Sequence, residues 1–210
     1  MTERTKEILE ILRETYPEAG CELDFGTPFQ LLVSVILSAQ CTDKRVNIVT
    51  DKLFEEYSAP ADFAAMDIGV LKKAIYSCGF YNEKAKHIKQ ASIHIMEKFG
   101  GEVPGNLEDL RSLPGVGRKT ANVVYAVAFK GQAIAVDTHV FRVSNRIGLA
   151  DSDNVLGTEK QLMEAIAPEM YSLSHHLLIF HGRYTCKSQK PQCDKCGITQ
   201  FCKYYQRNGR

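Results

Sequence analysis

The 210-residue sequence lacks the long apolar segments of a membrane protein. It has no run of about 18 apolar residues, and no basic segment followed by an apolar one begins at Met1. We therefore expect neither secretion nor membrane insertion. The chain also lacks internal repeats, low-complexity linkers and a marked net charge, which is only +1. This net charge does not by itself indicate a nucleic-acid partner.

The charge is nevertheless unevenly distributed. The segment 181–210 carries seven Lys or Arg and one acid, whereas the rest of the chain carries 19 basic and 24 acidic residues. Such polarisation suits an anionic partner at one end of the molecule. A merely solvated tail explains the same distribution equally well.

The seven cysteines are an odd number, which argues against a simple disulfide framework. Four of them lie within 17 residues near the C-terminus with the spacing C-x6-C-x2-C-x5-C, which predicts a metal site; they are Cys186, Cys193, Cys196 and Cys202. The spacing alone admits both zinc and an iron–sulfur cluster. Cys21, Cys41 and Cys78 are isolated in sequence, and we expect them to be reduced thiols in an intracellular, reducing compartment.

The apolar residues recur with a helical period, which predicts an all-α fold. Phe29–Ala39 is apolar on nearly every face and indicates a buried central helix. Asn82 is the expected N-cap of a long helix, and Thr158–Gln161 fits a capping box that opens another. Ala133–Val136 is expected to be a buried, extended connector.

The stretch from Leu113 to Asn122 predicts a hairpin between two helices. Pro114 cannot continue a helix from upstream, and Gly115 and Gly117 allow a tight turn before a helix that starts near Arg118. Backbone N–H groups at the start of that helix form an anion site, strengthened by the helix dipole. A tight connection without a ligand is the competing interpretation.

These motifs together resemble one family of DNA repair enzymes. Leu113–Gly117 resembles the helix–hairpin–helix motif, and Lys119, Val136–Val140 and the cysteine spacing sharpen the resemblance to the endonuclease III family. It covers essentially the whole chain. It implies two helical domains with an active cleft between them: a six-helix domain with the hairpin over 22–131, and an iron–sulfur domain over 1–21 and 132–210.

The resemblance also implies the chemistry. Lys119 matches the nucleophile and Asp137 the catalytic carboxylate of a bifunctional DNA glycosylase and abasic-site lyase. Such an enzyme removes oxidised or ring-saturated pyrimidines through a Schiff base and cuts the strand by β-elimination. The helix dipole and Arg118 both favour a neutral amine at Lys119. On residue chemistry alone, Lys119 could instead be a phosphate-binding surface lysine and Asp137 only a helix N-cap.

Chemistry on a base in duplex DNA requires that base to be flipped out. The resemblance implies that Gln40 fills the vacated space and that Phe80 is the wedge, where the family often has leucine. A helix C-cap for Gln40 and a core position for Phe80 are the alternatives. The remaining expected DNA contacts are Gly115, Val116, Gly117, Arg118, His139, Lys187 and Lys190.

The cysteine spacing matches the family's [4Fe–4S] pattern, so this cluster is the expected cofactor, with a zinc site as the smaller alternative. The expected partner is double-stranded DNA with a damaged pyrimidine or an abasic site, bound by a cytoplasmic, nucleoid-associated monomer. An adenine-mismatch glycosylase fits less well, because Phe29–Ala39 contains no acid. A non-catalytic DNA-binding or iron–sulfur redox module remains the alternative from another class.

Overall fold

The computed structural model describes residues 1–208, and every regular element in this range is a helix, which confirms the predicted all-α class. Arg210, the last base of the polarised segment, lies outside the described residues. None of the described helices is long and apolar enough to span a membrane. The chain divides into two compact units, Cys21–Gly131 and Met1–Gly20 with Gln132–Arg210. The division expected from the sequence places the first boundary one residue later.

The unit Cys21–Gly131 surrounds one buried helix. Its helices are α2 (Pro28–Ser38), α3 (Asp43–Glu56), α4 (Pro60–Ala65), α5 (Ile68–Ala74), α6 (Tyr81–Phe99), α7 (Leu107–Ser112) and α8 (Arg118–Ala128). As predicted, α2 is buried along nearly its whole length and packs against α3, α6 and α8. It begins cleanly because the Thr27 side chain accepts a hydrogen bond from the Gln30 backbone N–H (3.1 Å) and Pro28 occupies the first turn.

The start of α6 differs from the sequence prediction. The N-cap is Phe80, in the left-handed region at φ 58°, and Asn82 already lies inside the helix. One turn later Lys84 is buried, and its Nζ donates to the Leu37 carbonyl (2.7 Å) in the last turn of α2. A cation at a helix C-terminus is favourable, so this bond ties α6 to α2.

The other unit is built around a second apolar core. Its α-helices are α1 (Glu3–Thr15), α9 (Thr138–Ile147), α10 (Val155–Ala165), α11 (Tyr171–Tyr184) and α12 (Lys203–Asn208), and short 3-10 turns cover Pro168–Met170, Cys193–Lys195 and Thr199–Phe201. α1 and α9 pack against α11, and α10 and α12 pack against α9. The predicted connector Ala133–Val136 is extended and buried. It leads directly into α9.

The capping box predicted at Thr158–Gln161 is wrong. Helix α10 begins three residues earlier at Val155, with Asn154 as N-cap accepting from the Gly157 backbone N–H (2.8 Å). The Thr158 hydroxyl is buried and donates to the Asn154 carbonyl (3.0 Å). A threonine that satisfies its hydroxyl within the helix has the same local sequence signature as a cap.

Candidate functional site

The predicted hairpin is present between α7 and α8. Its turn is closed by the Val116 backbone N–H, which donates to the Leu113 carbonyl (3.1 Å). Gly115 adopts φ 77°, and a Cβ there would lie 2.5 Å from Cβ of His87 on α6. Both the left-handed backbone and the close approach therefore require glycine at this position. Val116 is buried, which anchors the turn on the core.

Gly117 has a different environment. It is the N-cap of α8 with ordinary extended backbone, and a Cβ added to it would meet no heavy atom within 4 Å. Because it has no side chain, it supplies no acceptor for the N–H groups of the first turn of α8. Arg118 and Lys119 follow in that first turn, and both are exposed. The turn thus combines an open helix N-terminus with two cationic side chains.

Asp137 lies in the other unit, where the buried connector ends and α9 begins. Its Oδ1 accepts a hydrogen bond from the Val140 backbone N–H (2.8 Å), so the expected N-cap role is present. The Asp137 side chain is half-buried, and the hydrogen bond from the Val140 N–H fixes the orientation of its carboxylate. His139 is also half-buried, with Nδ1 3.2 Å from Arg142 Nη2.

The four clustered cysteines line one pocket, together with apolar residues that include Ile147 and Ile198. All four are partly buried, and burial raises the pKa of the Cys193 and Cys196 thiols, each of which is also influenced by the neighbouring cysteine sulfurs. Cys196 Sγ lies 3.7 Å from Nε2 of the buried His181. Within residues 1–208, no three Cys, His, Asp or Glu side chains come close enough to hold a single metal ion.

The loop between the first two of these cysteines is held at its base by one acceptor. The Thr185 carbonyl accepts hydrogen bonds from the backbone N–H groups of Lys187 (3.0 Å) and Gln192 (2.9 Å). Lys187 and Lys190 are exposed on this loop, and Lys190 adopts the left-handed region at φ 49°.

Two arginines on α9, which the sequence interpretation did not single out, also hold this loop. Arg146 donates to the carbonyls of Lys187 (2.7 Å) and Ser188 (2.9 Å), and its guanidinium stacks over the Tyr204 ring at 4.7 Å. Arg142 donates to the Cys186 carbonyl (3.2 Å). The spacing i, i+4 places both on one helix face, which is the signal that could have identified them.

Gln40 and Phe80 lie on neighbouring turns of the unit Cys21–Gly131. Both adopt left-handed backbone, at φ 54° and φ 58°, and both side chains are exposed, Phe80 to 66%. A Cβ at Gly79 would lie 3.5 Å from the Gln40 carbonyl oxygen, so the two turns touch. Phe80 is therefore not a core residue, whereas Gln40 directly follows Ala39, the C-cap of α2.

Comparison with known proteins gives consistent matches over the whole chain. Residues 33–168 match the HhH-GPD superfamily base excision DNA repair protein model. The chain is 49% identical to endonuclease III of Bacillus subtilis over 203 residues, which cover 96% of this chain and 93% of the relative. It is 46% identical to endonuclease III of Escherichia coli over 198 residues, with 94% of both proteins covered.

Solved structures give the same result. A trapped endonuclease III–DNA covalent intermediate, an estranged-adenine complex, matches with a TM-score of 0.92 at 46% identity, with 100% of both chains covered. A non-covalent endonuclease III–DNA complex matches with the same values.

Proposed function

Since this chain belongs to the endonuclease III family of the HhH-GPD base-excision DNA repair proteins, we propose that it excises oxidised or ring-saturated pyrimidines from duplex DNA and then cleaves the abasic site. The observation that carries this proposal is the hairpin, which places the exposed Lys119 in the first turn of a helix whose N-cap, Gly117, has no side chain. One short segment can therefore hold a phosphate and present an amine to the adjoining sugar.

Lys119 is the proposed nucleophile. Its Nζ attacks C1′ of the damaged nucleotide, and the bond from C1′ to the base breaks. The C1′–O4′ bond then breaks, O4′ takes up a proton and Nζ loses one, so the sugar ring opens and a Schiff base remains between Nζ and C1′. It acidifies the hydrogens at C2′. Loss of one such proton breaks the bond from C3′ to its oxygen, which cuts the strand on the 3′ side. Nζ of Lys119 is the only nucleophile that this scheme requires.

Asp137 is proposed to stabilise positive charge that develops on the sugar, and to move protons. Its Oδ1 is held by the Val140 N–H, which fixes the carboxylate before DNA binds. A preorganised charge stabilises a transition state without reorganisation during the reaction. Capping and catalysis are therefore compatible roles for one side chain.

Gln40 and Phe80 are proposed to enter the duplex when the damaged base leaves the stack. Their neighbouring turns project two exposed side chains from one place on the surface. Phe80 is the wedge and Gln40 occupies the vacated space, which offsets an unstacking cost of a few kcal/mol.

DNA phosphates are proposed to bind the N–H groups of the hairpin and three side chains of the other unit. In the hairpin the proposed donors are the N–H groups of Gly115, Gly117 and Arg118; Val116 is a proposed DNA contact of the same turn, but its N–H already donates to the Leu113 carbonyl (3.1 Å). Outside the hairpin, His139, Lys187 and Lys190 are the proposed contacts. Sequence-independent phosphate contacts of this kind make affinity fall as the salt concentration rises. The damaged duplex is bound by a monomer inside the cell.

Cys186, Cys193, Cys196 and Cys202 are proposed to hold a [4Fe–4S] cluster. The donor set fits it, because four thiols line one pocket with a partly apolar wall. When bound, the cluster shapes the loop that carries Lys187 and Lys190.

Borohydride trapping on a duplex that contains thymine glycol tests the proposal. Wild type should form a covalent adduct, and Lys119→Gln should bind the same duplex without forming one. Thr120→Ser, the neighbouring substitution in the same turn, is the matched control and should trap normally. An adduct with Lys119→Gln, or none with wild type, would overturn the assignment; bound DNA without an adduct would favour the non-catalytic module.

A further inference from the structure

Two of the cysteines outside the clustered four lie close together. Cys41 follows Gln40 directly, and Cys78 precedes Phe80 by two residues. Their thiols lie near enough to influence each other electrostatically, and neither forms a disulfide in this structure. The backbone segments that carry these cysteines also approach each other: a Cβ added at Gly79 would lie 3.5 Å from the Gln40 carbonyl oxygen.

We propose that Cys41 and Cys78 are an oxidative modification site, at which peroxides convert the two thiols into a reversible disulfide that ties the turn of Gln40 to the turn of Phe80. Disulfides in reducing compartments are typically transient and sensory. The effect of this bond on DNA rests on the proposed function, whereas its formation does not.

The chemistry follows from the different environments of the two sulfurs. Cys41 is partly exposed, whereas Cys78 is fully buried in the core. The sulfur of Cys41 attacks hydrogen peroxide, the O–O bond breaks, and a sulfenic acid and one water form. The sulfur of Cys78 then attacks Cys41 Sγ, an S–S bond replaces the S–O bond, and a second water leaves with the thiol proton. One peroxide is reduced by two electrons, and two thiols become one disulfide.

Lys84 assists the second step, the attack by Cys78, from inside the core. Its buried Nζ is fixed on the Leu37 carbonyl (2.7 Å) and is close enough to both sulfurs to interact with them electrostatically. A neighbouring cation favours the thiolate, which is the nucleophilic form. Burial, and after it the neighbouring Cys41 thiol, raises the pKa of Cys78 to about 11. Cys78 therefore stays protonated until Cys41 has been oxidised.

The disulfide should change the positions of the Gln40 and Phe80 side chains that the two turns expose. A disulfide has an S–S length of about 2.05 Å, so closing it draws the two sulfurs together and shifts the turns that carry them. A displacement of about 1 Å in a positioned group can reduce a reaction rate by about 100-fold. We expect excision by the oxidised protein to fall at least about tenfold and to recover after reduction with dithiothreitol.

Peptide mapping tests bond formation directly. The full chain is treated with equimolar hydrogen peroxide, alkylated and digested with trypsin, which yields the peptides 14–44 and 74–84. The expected product joins these peptides and retains one alkylated cysteine, Cys21. It should be absent in Cys41→Ser and in Cys78→Ser, and the first of these keeps the test valid if the buried substitution impairs folding.

Excision by oxidised and re-reduced protein is measured in parallel, with Cys41→Ser at the same dose of oxidant as the control for damage elsewhere. Failure to join the peptides at a dose that converts Cys41 to a dimedone-reactive sulfenic acid would refute the proposal, as would a bond to Cys21. A disulfide that leaves the excision rate unchanged would refute the effect on the turns. Absence of excision by the reduced protein would refute the proposed function and leave the peptide result standing.

Discussion

Replacing Gly117 by alanine tests whether the hairpin holds a phosphate. The backbone of Gly117, at φ −79° and ψ 175°, suits any residue, and a Cβ there meets no heavy atom within 4 Å. The added methyl group therefore occupies space that the protein itself does not use. In the proposed complex, a phosphate approaches the first turn of α8 through that space.

The expected effect on stability is small. Alanine is a poorer N-cap than glycine by roughly 0.5 kcal/mol, and the smaller freedom of the unfolded chain offsets this by about 0.4–1 kcal/mol. The expected effect on affinity is large. If the methyl group holds the phosphate beyond hydrogen-bond range, one or two charge-assisted bonds are lost, at about 1.5 kcal/mol each. This corresponds to an increase in Kd of roughly 10- to 100-fold.

Gly115→Ala is the matched control, with the opposite expected profile. It forces an L residue to φ 77° and places a Cβ 2.5 Å from His87 Cβ. Backbone strain and overpacking together cost about 2–5 kcal/mol, which lowers the unfolding midpoint by roughly 5–15 °C. The assays are thermal unfolding and fluorescence anisotropy with an abasic-analogue duplex at fixed salt. Wild-type affinity for Gly117→Ala would refute the reasoning, because the space would then be free in the complex too.

Three further outcomes are expected. Asp137→Asn should leave the unfolding midpoint within about 1 °C, since Asn and Asp cap equally well, but should slow single-turnover excision more than it weakens binding; equal losses would contradict this. Arg146→Met should raise the rate of tryptic cleavage in the loop after Cys186 several-fold, because two carbonyls lose their donor; an unchanged rate would mean that the arginine does not hold the loop. Burial, followed by the charges of His175 and Arg183, lowers the pKa of His176 to about 3, so the neutral ring stabilises the fold above about pH 6.5 and this stability is lost as the pH falls. His176→Gln should therefore lose about 2 kcal/mol less than wild type between pH 7 and pH 5 in urea unfolding; parallel curves would exclude this role.

Several features follow from sequence because they depend on neighbouring residues. Pro114 and Gly115 set the hairpin, since one residue blocks a helix and the other permits φ 77°. Asp137 caps α9 through a bond to a residue three positions away. The unbroken apolar run of α2 is only compatible with burial. The four clustered cysteines are also close together in sequence, and their side chains line one pocket.

Other features were decided by packing between distant segments. Asn82 has the chemistry of an N-cap, yet α6 begins earlier, because Cys78 is buried in the core and Lys84 reaches the end of α2. The loop after Cys186 depends on Arg146, 40 residues away from that cysteine.

The proximity of Cys41 and Cys78 likewise brings together residues that look unrelated in sequence. The sequence alone determined the helical class, the hairpin and the residue types available for chemistry, because backbone preferences act over a few residues. Only the tertiary structure decided which side chains are exposed, which are held in place and which distant thiols meet, because burial and contact depend on the path of the whole chain.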